Sequence, residues 1–120
     1  MDIQNNIERT RAWGIAKGIT GTNGTGSIKR QAEKLLEEFE ETRSALERLP
    51  LAKNPAEAWD ILDEIKDGLG DMMVVMILIG EMTGLPIEDC LDSVIDIISA
   101  RTGRMVDGQF IKDKQPNQPT

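Results

Sequence analysis

Histidine and tyrosine are missing from this 120-residue chain, and cysteine occurs once, at Cys90. The absence of His removes serine and cysteine triads with an imidazole base, HExxH zinc sites, C2H2 fingers and imidazole proton shuttles. A lone cysteine closes no intrachain disulfide, so a reducing, cytoplasmic setting is expected. There are only two Trp and two Phe, and the formal net charge is −7. A nucleic-acid surface, which needs basic patches and stacking rings, is therefore not expected. The longest apolar run, Met72 to Ile79, falls far short of the ~20 residues of a bilayer span, and no membrane helix is expected. The opening MDIQNNIERTR does not show the basic-then-apolar order of a secretory signal.

What the chain does have is carboxylates, 21 Asp and Glu against 14 Lys and Arg, with 39% hydrophobic residues. A single domain of this size buries roughly two thirds of its unfolded surface and needs no disulfide or structural metal to fold. Carboxylates without His or Cys partners are hard oxygen donors, suited to Mg²⁺, Mn²⁺ or Ca²⁺ rather than zinc.

Hydrophobic spacing predicts a helix from Asp2 to about Lys17, with an imperfect stripe of Ile3, Ile7, Ala12, Ile15 and Ala16 and with Trp13 beside it. Gly18 to Ser27 is rich in glycine and hydroxyl residues and reads as a loop. Ser27 suits the N-cap of a second helix reaching about Leu49, with Ile28, Ala32, Leu35, Leu36, Phe39, Leu46 and Leu49 expected inward. Asn54-Pro55 supplies a cap and a first-turn proline for a third helix to about Thr83, with a bend possible at Gly68 to Gly70. The apolar run Met72 to Ile79 lies in its second half, which places that half at a bundle centre or in an oligomer interface. Gly84-Leu85-Pro86 restarts the chain as a fourth helix to about Thr102, with Ile87, Cys90, Leu91, Val94, Ile95 and Ile98 expected inward. Asp107-Gly108 between apolar residues signals a tight turn or short hairpin. The expectation is an all-α four-helix bundle over residues 1–113, ending in a hairpin and a disordered tail over 114–120.

GTNGTG, Gly21 to Gly26, invites a phosphate-loop reading, but Ser27-Ile28 follow where Lys and Ser or Thr are needed, and a helix precedes it where a strand is needed. A flexible connection or lid is expected instead. The carboxylates say more. A 100° step per residue puts Lys34, Glu38 and Glu41 on one strip of the second helix, and Glu64, Asp67 and Asp71 on a strip of the third. Asp71 leads straight into the apolar run, where a carboxylate is costly without a partner, and a divalent cation is one such partner. If the strips face each other, two or three Mg²⁺ or Mn²⁺ ions fit there, a site for phosphate chemistry, with a spare carboxylate such as Glu37 to take a proton from water. The alternative is that the strips are solvated charge faces of a non-catalytic interaction domain.

KLLEEFEE (Lys34 to Glu41), EIKDGLGD (Glu64 to Asp71), the apolar helix, the Gly-Leu-Pro turn and RTGRMVDGQFIKD (Arg101 to Asp113) together resemble the MazG-like all-α nucleoside triphosphate pyrophosphohydrolases. The similarity is greatest to the small single-domain type encoded by bacteriophages, which includes the MazZ type and would work in the host cytoplasm. The resemblance covers about Trp13 to Asp113. It implies hydrolysis of a nucleoside triphosphate, a purine deoxynucleotide such as dGTP or dATP, to the monophosphate and pyrophosphate by a homodimer or homotetramer. It implies Glu38, Glu41 and Asp71 as metal ligands. Where the family has its remaining carboxylate this chain has Gly68, so Asp67 is expected to substitute from the preceding turn, with Glu64 as the alternative. Lys34, Arg101 and Arg104 are candidates for the phosphates; for the two arginines, compensation of a helix dipole is the other reading. Trp13 and Lys17 are candidates for base or ribose, with simple packing the other reading for Trp13.

Overall fold

A computed structural model describes residues 2–114. Helices occupy 71% of the described residues and the described sheet is one two-stranded hairpin, so the all-α class holds. The chain divides into two compact units, one ending at Ile87 and the other beginning at Glu88.

The first unit contains α1 (Ile3–Ala16), α2 (Ile28–Arg48), a 3-10 turn (Leu49–Leu51) and α3 (Pro55–Thr83). Each helix starts on a polar cap legible in the sequence. The side chains of Asp2, Ser27 and Asn54 accept from the backbone N–H of Gln4, Arg30 and Glu57, respectively, and each such cap contributes about 1 kcal/mol. α3 runs unbroken through Gly68 and Gly70 and packs against both α1 and α2.

α2 and α3 are antiparallel. Near the 3-10 turn, Ala45, Ile61 and Ile65 form a buried cluster with Leu49 and Ala52 packed against it. Further along, Thr42 of α2 meets Gly68 of α3, and beyond that α3 buries Val75, Ile77 and Leu78. Arg11 of α1 reaches Glu81 of α3, Nε to Oε2 3.0 Å, which ties these helices across 70 residues of sequence. The loop from Gly18 to Ser27 folds onto itself rather than hanging loose: the N–H groups of Thr25 and Gly26 donate to the carbonyls of Gly18 and Ile19, at 2.9 and 3.0 Å.

The face α2 buries differs from the expected one. Glu38, Thr42 and Ala45 are buried and Leu35 is half-buried, whereas Ile28, Ala32, Leu36, Phe39 and Leu46 are exposed. The helix turns the edge carrying its carboxylate strip toward α3, where Thr42 occupies the space that a side chain at Gly68 would fill. Similarly in α1, Ile7 and Gly14 are buried while Ile3, Ala12, Ile15 and Ala16 stay exposed.

The second unit consists of α4 (Ile87–Ser99), β1 (Gly103–Val106) and β2 (Gln109–Lys112). The strands pair antiparallel, Gly103 opposite Lys112 and Val106 opposite Gln109. Asp107 and Gly108 turn the hairpin with φ of 50° and 80°, the two-residue geometry whose twist matches that of paired strands. α4 has no buried residue, so Leu91, Val94, Ile95 and Ile98 form an apolar face that is exposed, not inward. The expected tail lies outside the described residues except for Lys114.

Candidate functional site

The antiparallel pairing of α2 and α3 brings the two carboxylate strips onto one cavity of about 580 Å³, within the size range of small-molecule sites. Glu38 and Glu41 line it from α2, and Glu64, Asp67 and Asp71 from α3. Thr42 and Gly68 also line it. Glu38 is 6% exposed and Thr42 2%; the other carboxylates are open to solvent.

Two cations partner two of these acids. Lys34 Nζ stands 3.1 Å from Glu38 Oε1, one helical turn away, and 3.9 Å from Glu37. The Lys34 ammonium is held above the ordinary lysine range, chiefly by its hydrogen bond to Glu38 and then by the charges of Glu37, Glu38 and Glu41. Arg48 Nη2 lies 2.8 Å from Glu64 Oε2. Among the described residues, Glu41, Asp67 and Asp71 have no Lys or Arg within ion-pair distance. The cavity therefore carries an excess of negative charge on hard oxygen donors. Among the described residues, no three acidic or Cys side chains form a ready-made metal-binding group.

Asp71 is the junction of a larger system. It also lines a cavity with Trp13, Arg30, Lys34 and Glu38, and another with Asn6, Arg9, Thr10 and Trp13. Trp13 separates the last two, nearly half exposed and not a core aromatic. Carboxylates, a lysine and an indole thus follow one another along adjoining cavities.

The structure does not treat all the candidates alike. Glu38, Glu41, Glu64, Asp67, Asp71, Lys34 and Trp13 line these cavities. Glu37 is exposed and touches Lys34 from outside them. Lys17 is the exposed C-cap of α1. Arg101 and Arg104 belong to the second unit, just after α4 and on β1, and both are exposed. Sequence reasoning passed over Arg30 and Arg48, and over Asn6 and Thr10, which share the Trp13 face of α1. The signal was present: Arg30 lies four residues before Lys34, and Asn6, Thr10 and Trp13 recur at helical spacing.

No family model, curated protein or solved structure matches the chain.

Proposed function

We propose that the protein is a metal-dependent nucleoside triphosphate pyrophosphohydrolase that converts a (d)NTP and water to the (d)NMP and pyrophosphate, within a MazG-like four-helix bundle. One observation carries this reading: carboxylates from two adjacent helices line one cavity that adjoins a lysine and a half-exposed tryptophan. A charged polyphosphate arm and a flat base are the two parts of a nucleotide, and these neighbours suit them in that order.

The donors fit Mg²⁺ or Mn²⁺, since all are oxygens. Glu38, Glu41, Asp67 and Asp71 would hold the ions; Glu64 is already engaged by Arg48. Mg²⁺ is commonly held by one or two carboxylates plus water and substrate phosphate, so a preformed protein cage is not required. When bound, the ions supply neutralisation of the phosphate oxygens and a more acidic water. Lys34, beside Glu38 and facing the Trp13 cavity, is placed to bind a phosphate oxygen. Trp13 offers a ring face for the base, and a purine is favoured for its larger stacking area.

A homo-oligomer is part of the proposal. Leu36, Phe39 and Leu46 on α2, and Leu62, Leu69 and Met76 on α3, are exposed at spacings of three and seven residues, the pattern of a helix face made to be covered.

The deciding experiment is incubation with each dNTP in the presence of Mg²⁺ or Mn²⁺, with analysis of the products. Monophosphate and pyrophosphate in equal amounts are expected; no turnover of any nucleotide would leave the non-catalytic interaction domain as the better reading.

A further inference from the structure

One close approach of α2 and α3 lies beside the carboxylates and involves no charged group. Gly68 is buried on α3, and a Cβ built there would overlap the hydroxyl of Thr42 and lie 3.0 Å from the Thr42 Cβ. That hydroxyl is turned back onto its own helix, where it donates to the Glu38 carbonyl at 2.7 Å. Thr42 therefore has no room to yield: it is 2% exposed and its side chain is held in place.

Ligand candidates stand next to this contact on both helices, before Thr42 on α2 and on both sides of Gly68 on α3. On α2, Thr42 follows Glu41 directly and Glu38 by one turn; on α3, Gly68 follows Asp67 directly and precedes Asp71 by three residues. The distance between the α2 donors and the α3 donors is therefore set where Gly68 touches Thr42. Gly70, two residues on, is the natural contrast, since a Cβ there would meet nothing within 4 Å.

We propose that the Gly68–Thr42 contact sets the ion size the site accepts, by holding the two helices close enough for carboxylates on both to reach one small divalent cation. Mg²⁺ and Mn²⁺ need short oxygen contacts, roughly 2.0–2.2 Å, whereas Ca²⁺ takes 2.3–2.6 Å in flexible shells. Prising the helices apart thus penalises the small ions more than calcium. Position 68 is then more than a lost carboxylate: a side chain of any kind there would separate the donors that remain. The inference rests on the metal-site reading above, and Gly68 and Thr42 act in it as positioning residues.

The test measures binding of Mn²⁺ alone by electron paramagnetic resonance, up to millimolar concentration, with Ca²⁺ binding by calorimetry and circular dichroism to monitor folding. Gly68→Ala should weaken Mn²⁺ by about tenfold or more, the scale seen when support around a metal site is lost, and weaken Ca²⁺ less. Gly70→Ala adds the same methyl to open space and should bind Mn²⁺ as the wild type does. Gly68→Ala combined with Thr42→Ala removes the overlapping hydroxyl, leaving only the tight Cβ contact, and should recover most of the Mn²⁺ affinity. If Gly68→Ala alone does not fold, the double variant still decides. Unchanged Mn²⁺ binding in Gly68→Ala, an equal loss for both ions, or no recovery in a folded double variant would overturn the inference while leaving the metal site intact. A wild type that binds no Mn²⁺ would overturn both.

Discussion

The ammonium of Lys34 stands 3.1 Å from Oε1 of Glu38, the buried carboxylate of the cavity, and Lys34 itself is half exposed. One partner is fixed and the other is free to swing away. Lys34 therefore neutralises Glu38 in the protein alone and competes with any cation arriving at the same oxygen. Lys34→Met should tighten Mn²⁺ binding in the absence of nucleotide by up to about fivefold, the upper range for partly exposed pairs. The same variant should weaken binding of a nucleotide, whose phosphate loses a positive partner. Calorimetric titration checks both, and a loss of Mn²⁺ affinity would contradict the competition.

The pH dependence of this pair follows from its direction. The folded pKa of Lys34 is raised above its ordinary 10.5, so the stabilisation is fully present below the unfolded value and is lost as pH rises through the folded one. The melting-temperature difference between wild type and Lys34→Met should stay constant from about pH 7 to 9 and shrink only above about 10.5. A difference that collapses near neutrality would show that Lys34 is not held by the carboxylates around it.

Glu38→Gln and Asp71→Asn remove charge with little change of volume. Each should cut hydrolysis by roughly 100-fold or more and leave the helical circular dichroism signal intact. Glu37→Gln, one residue away and outside the cavities, should retain more activity. An equal loss in Glu37→Gln would give Glu37 the proton-accepting role despite its position.

The site of attack separates this chemistry from that of an ordinary phosphatase. The proposed reaction, with water attacking the α phosphorus and pyrophosphate leaving as one piece, predicts that hydrolysis in ¹⁸O-labelled water places the label in the monophosphate and none in pyrophosphate. Label in pyrophosphate would indicate attack at the β phosphorus, and orthophosphate as first product attack at the γ phosphorus.

Assembly and core stability should respond to different residues. Ile65, buried against Ala45 and Ile61, should cost about 2–5 kcal/mol when changed to Ala, as read from urea unfolding. Leu36 is 60% exposed and Leu69 56%, so Leu36→Lys with Leu69→Lys should leave the fold in place while shifting sedimentation from a dimer or larger species to the monomer. A wild type that sediments only as a monomer at micromolar concentration would refute the covered face.

Much of this protein is written locally. Asp2, Ser27 and Asn54 with Pro55 start their helices where side-chain oxygens meet free backbone N–H groups, and Asp107-Gly108 turns its hairpin because both residues take positive φ. The carboxylate strips were equally legible, since helical spacing alone puts Glu38 with Glu41 and Asp67 with Asp71. The backbone pairs that fold the glycine-rich loop, such as Thr25 with Gly18, were not legible, because they leave no mark in side-chain composition.

Which face of α2 turns inward was beyond the sequence. Its apolar residues are spread so widely that both the Leu36–Phe39 side and the Glu38–Thr42–Ala45 side were available for burial, and periodicity does not choose between them. The choice was made by α3, whose Gly68 offers a gap only a small neighbour can enter, so Thr42 enters it and carries Glu38 into the interior beside it. By itself the sequence determined where the helices begin and which residue types each strip carries, because capping and spacing act within a few residues. Only the tertiary structure decided that the strips share a cavity and that Gly68 is a point of contact with Thr42, because that depends on how closely two helices, far apart in the chain, can approach.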